Sequence, residues 1–245
     1  MTINSKAVSG LACSLCVAIV SSAFGQPDEE YDSPDGYSGA SEYVEPPATD
    51  LFDTSYESEL LYGTHQLITD SLRSGEGYFS ADGNRIIFQS EVPGENPFYQ
   101  IFLRDLKNGK TELVSPGVGL TTCPWVHPKL NRIMFSSTHE DPEALLKQAE
   151  EIRIRESGID RPYGWDYDSH YEIYQANADG TDIINLTNSA GYDAEGSYSS
   201  DGSKILFASN RYAYSRLLSQ AEQALFEDDS SYFMDLYIMD ADGSN

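Results

Sequence analysis

Tyr192–Arg211 reads YDAEGSYSSDGSKILFASNR, and Gly75–Ser90 reads GEGYFSADGNRIIFQS. Aligned on Glu195 and Glu76, both spell E-G, an aromatic within two residues, S-x-D-G, a basic residue, and then I-aliphatic-F-x-S. A third copy lies between them, TTCPWVHPKLNRIMFSST at Thr121–Thr138. The runs RIIFQS, RIMFSS and KILFAS share one register. They are short, rich in β-formers and apolar at consecutive positions, as strands buried on both faces must be. Asp82-Gly83 and Asp201-Gly202 supply hairpin turns, because glycine takes positive φ without a steric penalty. The middle copy has Pro128-Lys129-Leu130-Asn131 there, so its turn has to be built differently.

Each unit adds a third strand and a second turn: YQIFLRDLKNGK at Tyr99–Lys110, YEIYQANADGT at Tyr171–Thr181 and DLYIMDADGS at Asp235–Ser244. TELVS and DIINLT follow as fourth strands, and HQLITD at His65–Asp70 aligns with them. Four antiparallel strands over roughly 40–50 residues are one propeller blade, unable to cover its own apolar faces and therefore stacked on the next. The fold class expected is all-β, a β-propeller of four-stranded antiparallel blades. About three blades form an open arc, at about 75–119, 120–191 and 192–245. Rings of this type have about four to eight blades, so the count predicts that the sequence is a fragment with further blades beyond Asn245. Edge strands are expected at Gln66–Asp70 and Asp235–Met239.

Inserts separate the second and third strands of two blades. DPEALLKQAEEIRIRES, Asp141–Ser157, reads as a helix with an N-cap and a first-turn proline. SRLLSQAEQALFEDD, Ser215–Asp229, reads as another, with Leu217, Leu218, Ala221 and Leu225 forming its apolar face. Inserts at equivalent points of successive blades emerge on the same end of a propeller.

Residues 1–25 read as a secretory signal peptide: Lys6, the run VSGLACSLCVAIVSSAF, and the small residues Ala23 and Gly25 before a cleavage near Gly25–Gln26. That places the protein in the periplasm or outside the cell, with no membrane span after cleavage. Cys13 and Cys16 fall inside the leader, leaving Cys123 as the one thiol of the mature chain and no intramolecular disulfide. Residues 26–62 hold eleven carboxylates and no Lys or Arg, are rich in Pro, Gly and Ser, and read as a disordered acidic linker. The propeller then occupies 63–245. A formal net charge of −25 repels nucleic acid and anionic membrane and leaves cations, basic partners or neutral glycans and peptides.

The phrases SADGNRIIF and SSDGSKILF, followed by IYQANADGT…INLT and LYIMDADGSN, resemble the propeller repeats of the TolB family, whose motif runs S-P-D-G-x-x-I-x-F…I-Y-x-M-D-x-D-G-S…L-T. The resemblance covers about residues 65–245. It departs at Ala81 and Ser200, where the family has Pro, and in the middle copy, which lacks D-G. It implies a six-bladed exported propeller used for protein–protein contact. Related propellers filter substrates for hydrolases of prolyl-oligopeptidase type.

No G-x-S-x-G, H-E-x-x-H or P-loop occurs in the sequence, so no catalytic residue and no cofactor are assigned. Trp165-Asp166-Tyr167-Asp168-Ser169-His170 places Asp166, Asp168 and His170 at period two on an extended segment. With His127 and His139 they are the weak candidates for a divalent metal, against the commoner role of histidines tying an insert to a blade. Glu76 and Glu195, with Asp193, recur at the start of the innermost strand, near the central channel. There they either receive a cation or basic peptide, or accept backbone N–H bonds from the neighbouring blade. The two D-G stretches at Asn177–Asp182 and Asp240–Asn245 lack the glycine and glutamate positions of a calcium loop and read as turns. Tyr163, Trp165, Tyr167, Tyr212, Tyr214 and Tyr232 of the inserts are aromatic ligand candidates. The binding residues expected are thus Trp165, Asp166, Tyr167, Asp168, His170, Glu76, Asp193 and Glu195. The function expected is a non-catalytic propeller that binds or scaffolds a protein or peptide partner, a basic one included. The rival is an enzyme module, either a substrate filter or a metal-dependent glycan lyase.

Overall fold

The computed structural model describes residues 66–69, 71–92, 94, 96–159, 161 and 167–245. The leader and the acidic linker lie outside the described residues. Three antiparallel meanders follow one another along the chain. The first has the order β1 (Arg73–Phe79), β2 (Arg85–Glu91), β3 (Gln100–Asp105), β4 (Thr111–Leu113). The second has β5 (Thr121–Val126), β6 (Arg132–Ser137), β7 (Glu172–Asn177), β8 (Ile184–Asn185), and the third β9 (Asp193–Tyr198), β10 (Lys204–Ser209), β11 (Asp235–Asp240).

The consecutive apolar residues do what period-two geometry requires of them. On β6, Ile133 and Phe135 pack with Ile87, Ile101, Leu103 and Val114 of the first sheet. Met134, between them, faces the other way and packs with Ile205, Phe207 and Met239 of the third. The middle sheet is therefore the shared wall of two cores. The close approach is fixed by glycine at equivalent places. A Cβ on Gly180 (φ 80°) would sit 3.0 Å from the Val114 carbonyl oxygen, and one on Gly243 (φ 85°) 2.8 Å from that of Leu186. The second turns of the second and third sheets thus rest on the end of the preceding sheet.

On the far side of the third sheet the pattern is left uncovered. Leu206, Leu236 and Ile238 are 45%, 50% and 62% exposed. Their register equivalents Met134, Ile173 and Gln175 are buried. Strand β11 pairs with β10 and is a sheet edge. The described part of the other expected edge strand, residues 66–69, forms no strand.

The middle turn is closed by a histidine. The backbone N–H groups of Ser80, His127 and Ser199 donate to the carbonyls of Arg85, Arg132 and Lys204, all at 2.9 Å, which makes the three residues equivalent. In the outer copies the serine hydroxyl accepts from the strand N–H of Arg85 or Lys204. In the middle copy His127 Nδ1 accepts from the N–H groups of Lys129 and Leu130 instead, each at 3.0 Å.

Both inserts contain helices, each shorter than expected. Helix α1 spans Ala144–Glu156 with Glu143 at its N-cap, two residues later than Asp141-Pro142 suggests. Asp141 is turned inward and accepts the Glu143 N–H. The Ser215–Asp229 helix is corrected to a single turn α2 (Arg211–Tyr214) followed by α3 (Gln220–Asp228). The break falls at Ser219, which forms a capping box with Glu222 and starts a new helix there. Leu217 and Leu218 consequently lie outside α3. A short 3-10 turn, Ser230–Phe233, returns the chain to β11.

Candidate functional site

The three inner strands carry the same backbone irregularity. Each is interrupted by a bulge, and at each bulge stands a non-glycine residue with positive φ: Glu76 (47°), Cys123 (52°) and Glu195 (58°). Such a conformation is uncommon outside glycine, and it swings the side chain out of strand alternation. Strand β1 lies against β5 and β5 against β9, so the three side chains meet along the inner edge of the sheets.

The Cys123 N–H donates to Glu76 Oε2 at 3.1 Å, a bond from one sheet to the next, with Gln89 Oε1 a second acceptor at 3.4 Å. Glu195 has no hydrogen-bond donor among the described residues. Withdrawal from water, with the charge of Glu76 added, raises its carboxyl above the ordinary range. The half-buried Cys123 thiol is also pushed well up, by burial first and then by Glu76, so it is held as a neutral thiol. Glu76, Cys123 and Glu195 form one acidic, partly desolvated site. Its chemistry favours an incoming cationic group, which would relieve the Glu195 carboxylate.

Asp193 does not join it. Its carboxylate is fully buried and clamped by Arg211, Nη2 to Oδ2 at 2.7 Å and Nε to Oδ1 at 3.2 Å. The guanidinium lies 4.9 Å from the centre of the Phe207 ring and 5.4 Å from that of Tyr237. In the other sheets the same register position holds Ser74 and Thr121, each bonded to the serine opposite at 3.0 and 2.9 Å. Asp193 with Arg211 is therefore a charged version of a repeated structural tie.

At the insert end, Lys147 Nζ stands between Asp141 Oδ2 (2.7 Å) and Asp168 Oδ2 (2.5 Å). His170 Nδ1 is 3.0 Å from Asp168 Oδ1. Asp141, Asp168 and His170 are near enough together to ligate one cation, but the lysine ammonium already supplies the counter-charge. Lys147, helical on α1, and Arg211 were both missed by sequence reasoning. Each sits in an insert, Lys147 between one carboxylate of its own helical segment and one 21 residues on, and Arg211 18 residues from Asp193.

His127 and His139 flank β6 at opposite ends, roughly 20 Å apart at about 3.3 Å per strand residue, so they cannot share a metal. His127 is buried against Tyr198 with Nε2 3.2 Å from the Gly202 carbonyl. Burial lowers its pKa, and a neutral ring accepting at Nδ1 and donating from Nε2 satisfies every contact. His139 packs at a tilt against the Tyr174 ring and places Nδ1 3.0 Å from Ser137 Oγ. Ser137 is fully buried and paired with Thr121, so this is a packing contact.

Among the aromatic candidates, Tyr167 and Tyr214 share a bond between hydroxyls at 3.1 Å that links the two inserts. Buried Asn210 donates to Tyr167 Oη at 2.7 Å and accepts the Tyr192 N–H at 2.8 Å. Tyr212 and Tyr232 are exposed. Tyr163, Trp165 and Asp166 lie outside the described residues.

No family model matches the chain. The TolB homolog of Chlorobium luteolum is 26% identical over 168 residues, 63% of this chain and 38% of that protein. The chain is similar to TolB proteins over that stretch. Solved TolB structures are also similar: that of Agrobacterium tumefaciens at 19% identity and TM-score 0.47, covering 72% of this chain and 49% of that one. That of Acinetobacter baumannii stands at 17% and 0.41, covering 72% and 32%. The chain spans less than half the length of the curated TolB homolog it matches.

Proposed function

We propose that the protein is an exported, non-catalytic propeller that binds a protein or peptide through the end carrying its two inserts. Residues 1–25 act as the leader, 26–62 as an acidic tether and 63–245 as propeller, with blades at about 75–119, 120–191 and 192–245. The observation that carries this reading is the coupling of the inserts. Both leave their sheets between the second and third strands, and Tyr167, Tyr214 and Asn210 bind them to each other. Two independently inserted segments locked together present a preorganised surface, which lowers the ordering cost of binding. The binding residues of this reading are Trp165, Asp166, Tyr167, Asp168 and His170, of which Trp165 and Asp166 lie outside the described residues, with Glu76 and Glu195 as a carboxylate site for cationic groups of the partner. The similarity to TolB proteins supports the reading in general terms.

The test is a photo-crosslinking amino acid placed at Tyr212 or Tyr232 in the full chain, expressed in its exported form. A discrete, stoichiometric protein adduct is expected from the insert positions and not from a position such as Lys110 on the β3–β4 turn. Adducts equally abundant from both, or none from either, would overturn it.

A further inference from the structure

The first insert leaves β6 and returns to β7 through one group of charges. Asp141, ahead of α1, and Asp168, ahead of β7, both direct Oδ2 at the Lys147 ammonium, at 2.7 and 2.5 Å. Their side chains are buried, whereas His170 beside them is half exposed. One ligand atom from each of Asp141, Asp168 and His170 lies within 4.8 Å of the other two, the one such set among the described residues. Each carboxylate is itself oriented by a backbone N–H. Glu143 donates to Asp141 Oδ1 at 2.9 Å, and His170 to Asp168 Oδ1 at 3.0 Å. Outer bonds of this kind are what holds metal ligands in place.

Lysine fills this place imperfectly. Its Nζ donates to Asp168 Oδ2, but its contact with Asp141 Oδ2 is an ion pair only, and that buried oxygen accepts no well-directed hydrogen bond. One ammonium against two carboxylates also leaves the group one negative charge in excess. A zinc ion makes no directional demand of its own, and its second charge completes the balance. His170 makes no hydrogen bond to Lys147, yet its Nδ1 is 3.0 Å from Asp168 Oδ1 and its Nε2 3.9 Å from Asp141 Oδ1. Ligands around a tetrahedral zinc, each at about 2.1 Å, stand roughly 3.4 Å apart, between those two separations. Lys147 is a third exposed on a flexible stem and can turn outward.

We propose that Asp141, Asp168 and His170 bind a divalent cation of the zinc class, with one ligand atom from each, in exchange for the Lys147 ammonium. Two carboxylate oxygens and an imidazole nitrogen suit zinc, whereas calcium and magnesium take oxygen ligands. Three protein ligands leave the remaining position to water. The ion would join the start of α1 to the segment that carries Tyr167. The site goes beyond the protein-binding reading and does not depend on it, because the ion is measured on the chain alone.

The probe is Zn2+ titrated calorimetrically into the full chain near neutral pH. Saturable one-to-one binding is expected above the weak background of the surface carboxylates. His170→Ala should weaken it at least tenfold, the lower end of what even an outer partner of a metal ligand contributes. Asp168→Asn should do the same. Lys147→Met, which removes the competing ammonium, should tighten it about tenfold. Ca2+ should bind more weakly and be indifferent to His170→Ala. Zinc binding unchanged by His170→Ala overturns the proposal by reducing it to adventitious ions on an acidic surface. So does the absence of saturable binding to the wild-type chain, whatever Lys147→Met does. Lys147→Met that leaves the affinity unchanged overturns the exchange. Circular dichroism checks the fold of each variant, and His170→Ala, which alters an exposed ring, decides the matter if Asp168→Asn does not fold. Adducts from Tyr212 and Tyr232 are scored without zinc, so the two readings fail separately.

Discussion

Glu76 of β1 accepts the backbone N–H of Cys123 on β5, joining two successive sheets through a bond of 3.1 Å. Both residues have positive φ, at matched bulges. The carboxylate reaches a donor that the bulge has removed from its own ladder. Glu76→Ala should therefore destabilise by about 1–2 kcal/mol, the usual result of leaving a partly buried donor poorly served. Glu76→Gln, which keeps an acceptor oxygen, should lose less. Urea midpoints compare the two.

Glu195 predicts the opposite response. Its pKa is raised in the fold by withdrawal from water and by Glu76, so the folded chain holds a proton that the unfolded chain releases. Stability from this group is full below the unfolded carboxyl range and falls as pH rises through that range toward the folded value. Glu195→Gln should melt higher than wild type at pH 8, with the difference vanishing near pH 4. Equal differences at both pH values would contradict the assignment.

His127 carries the reverse sign among bases. Burial lowers its pKa from 6.5, so the unfolded chain binds protons that the folded ring refuses. The stability it contributes is present above pH 6.5 and is lost as pH falls below that value. His127→Ala should cost about 1–2 kcal/mol at pH 8, because two turn amides lose their acceptor, and it should shrink the loss between pH 7 and 5. Thermal melts across that range measure it.

Arg211→Ala should be the most damaging single change, by about 3–5 kcal/mol, because it strands the buried Asp193 carboxylate. Asp193→Thr with Arg211→Ala restores the uncharged tie of the other two sheets and should recover much of the loss. A double-mutant cycle by urea denaturation checks the coupling.

Gly202 and Gly83 occupy equivalent turns with φ of 75° and 68°. A Cβ at Gly83 meets open space, whereas one at Gly202 meets the His127 ring, with Nε2 2.8 Å away. Gly83→Ala should cost about 1 kcal/mol of backbone strain. Gly202→Ala should cost clearly more, and part of that excess should disappear in a His127→Ala background.

The strand pattern was legible because RIMFSS has no polar side: with Ile133, Met134 and Phe135 in succession, only a sheet covered on both faces can accommodate it. The left-handed Glu76 and Glu195 were not, since E-G reads as an ordinary polar pair and nothing in it specifies which residue takes positive φ. Of the two roles open to that pair, Glu76 makes the inter-sheet backbone bond that the structural one requires, and Glu195 has no such donor among the described residues. Asp193 was placed with them by its position at a strand start. Its partner Arg211 lies in an insert that no strand period could bring near. The apolar face of Ser215–Asp229 was visible as a period, but periodicity does not say which surface covers it, and here Leu217 and Leu225 stay in water.

In a polypeptide of residues 1–245, Leu206, Leu236 and Ile238 are bare beside the edge strand β11, which has a colloidal consequence for a piece of this span. Greasy strands with unpaired backbone groups adhere to one another unless something keeps them apart. A net charge of −25 is the force available, and it acts over a distance set by the surrounding electrolyte. Such a polypeptide should stay dispersed in dilute buffer and cloud as salt is added, the reverse of ordinary salting-in.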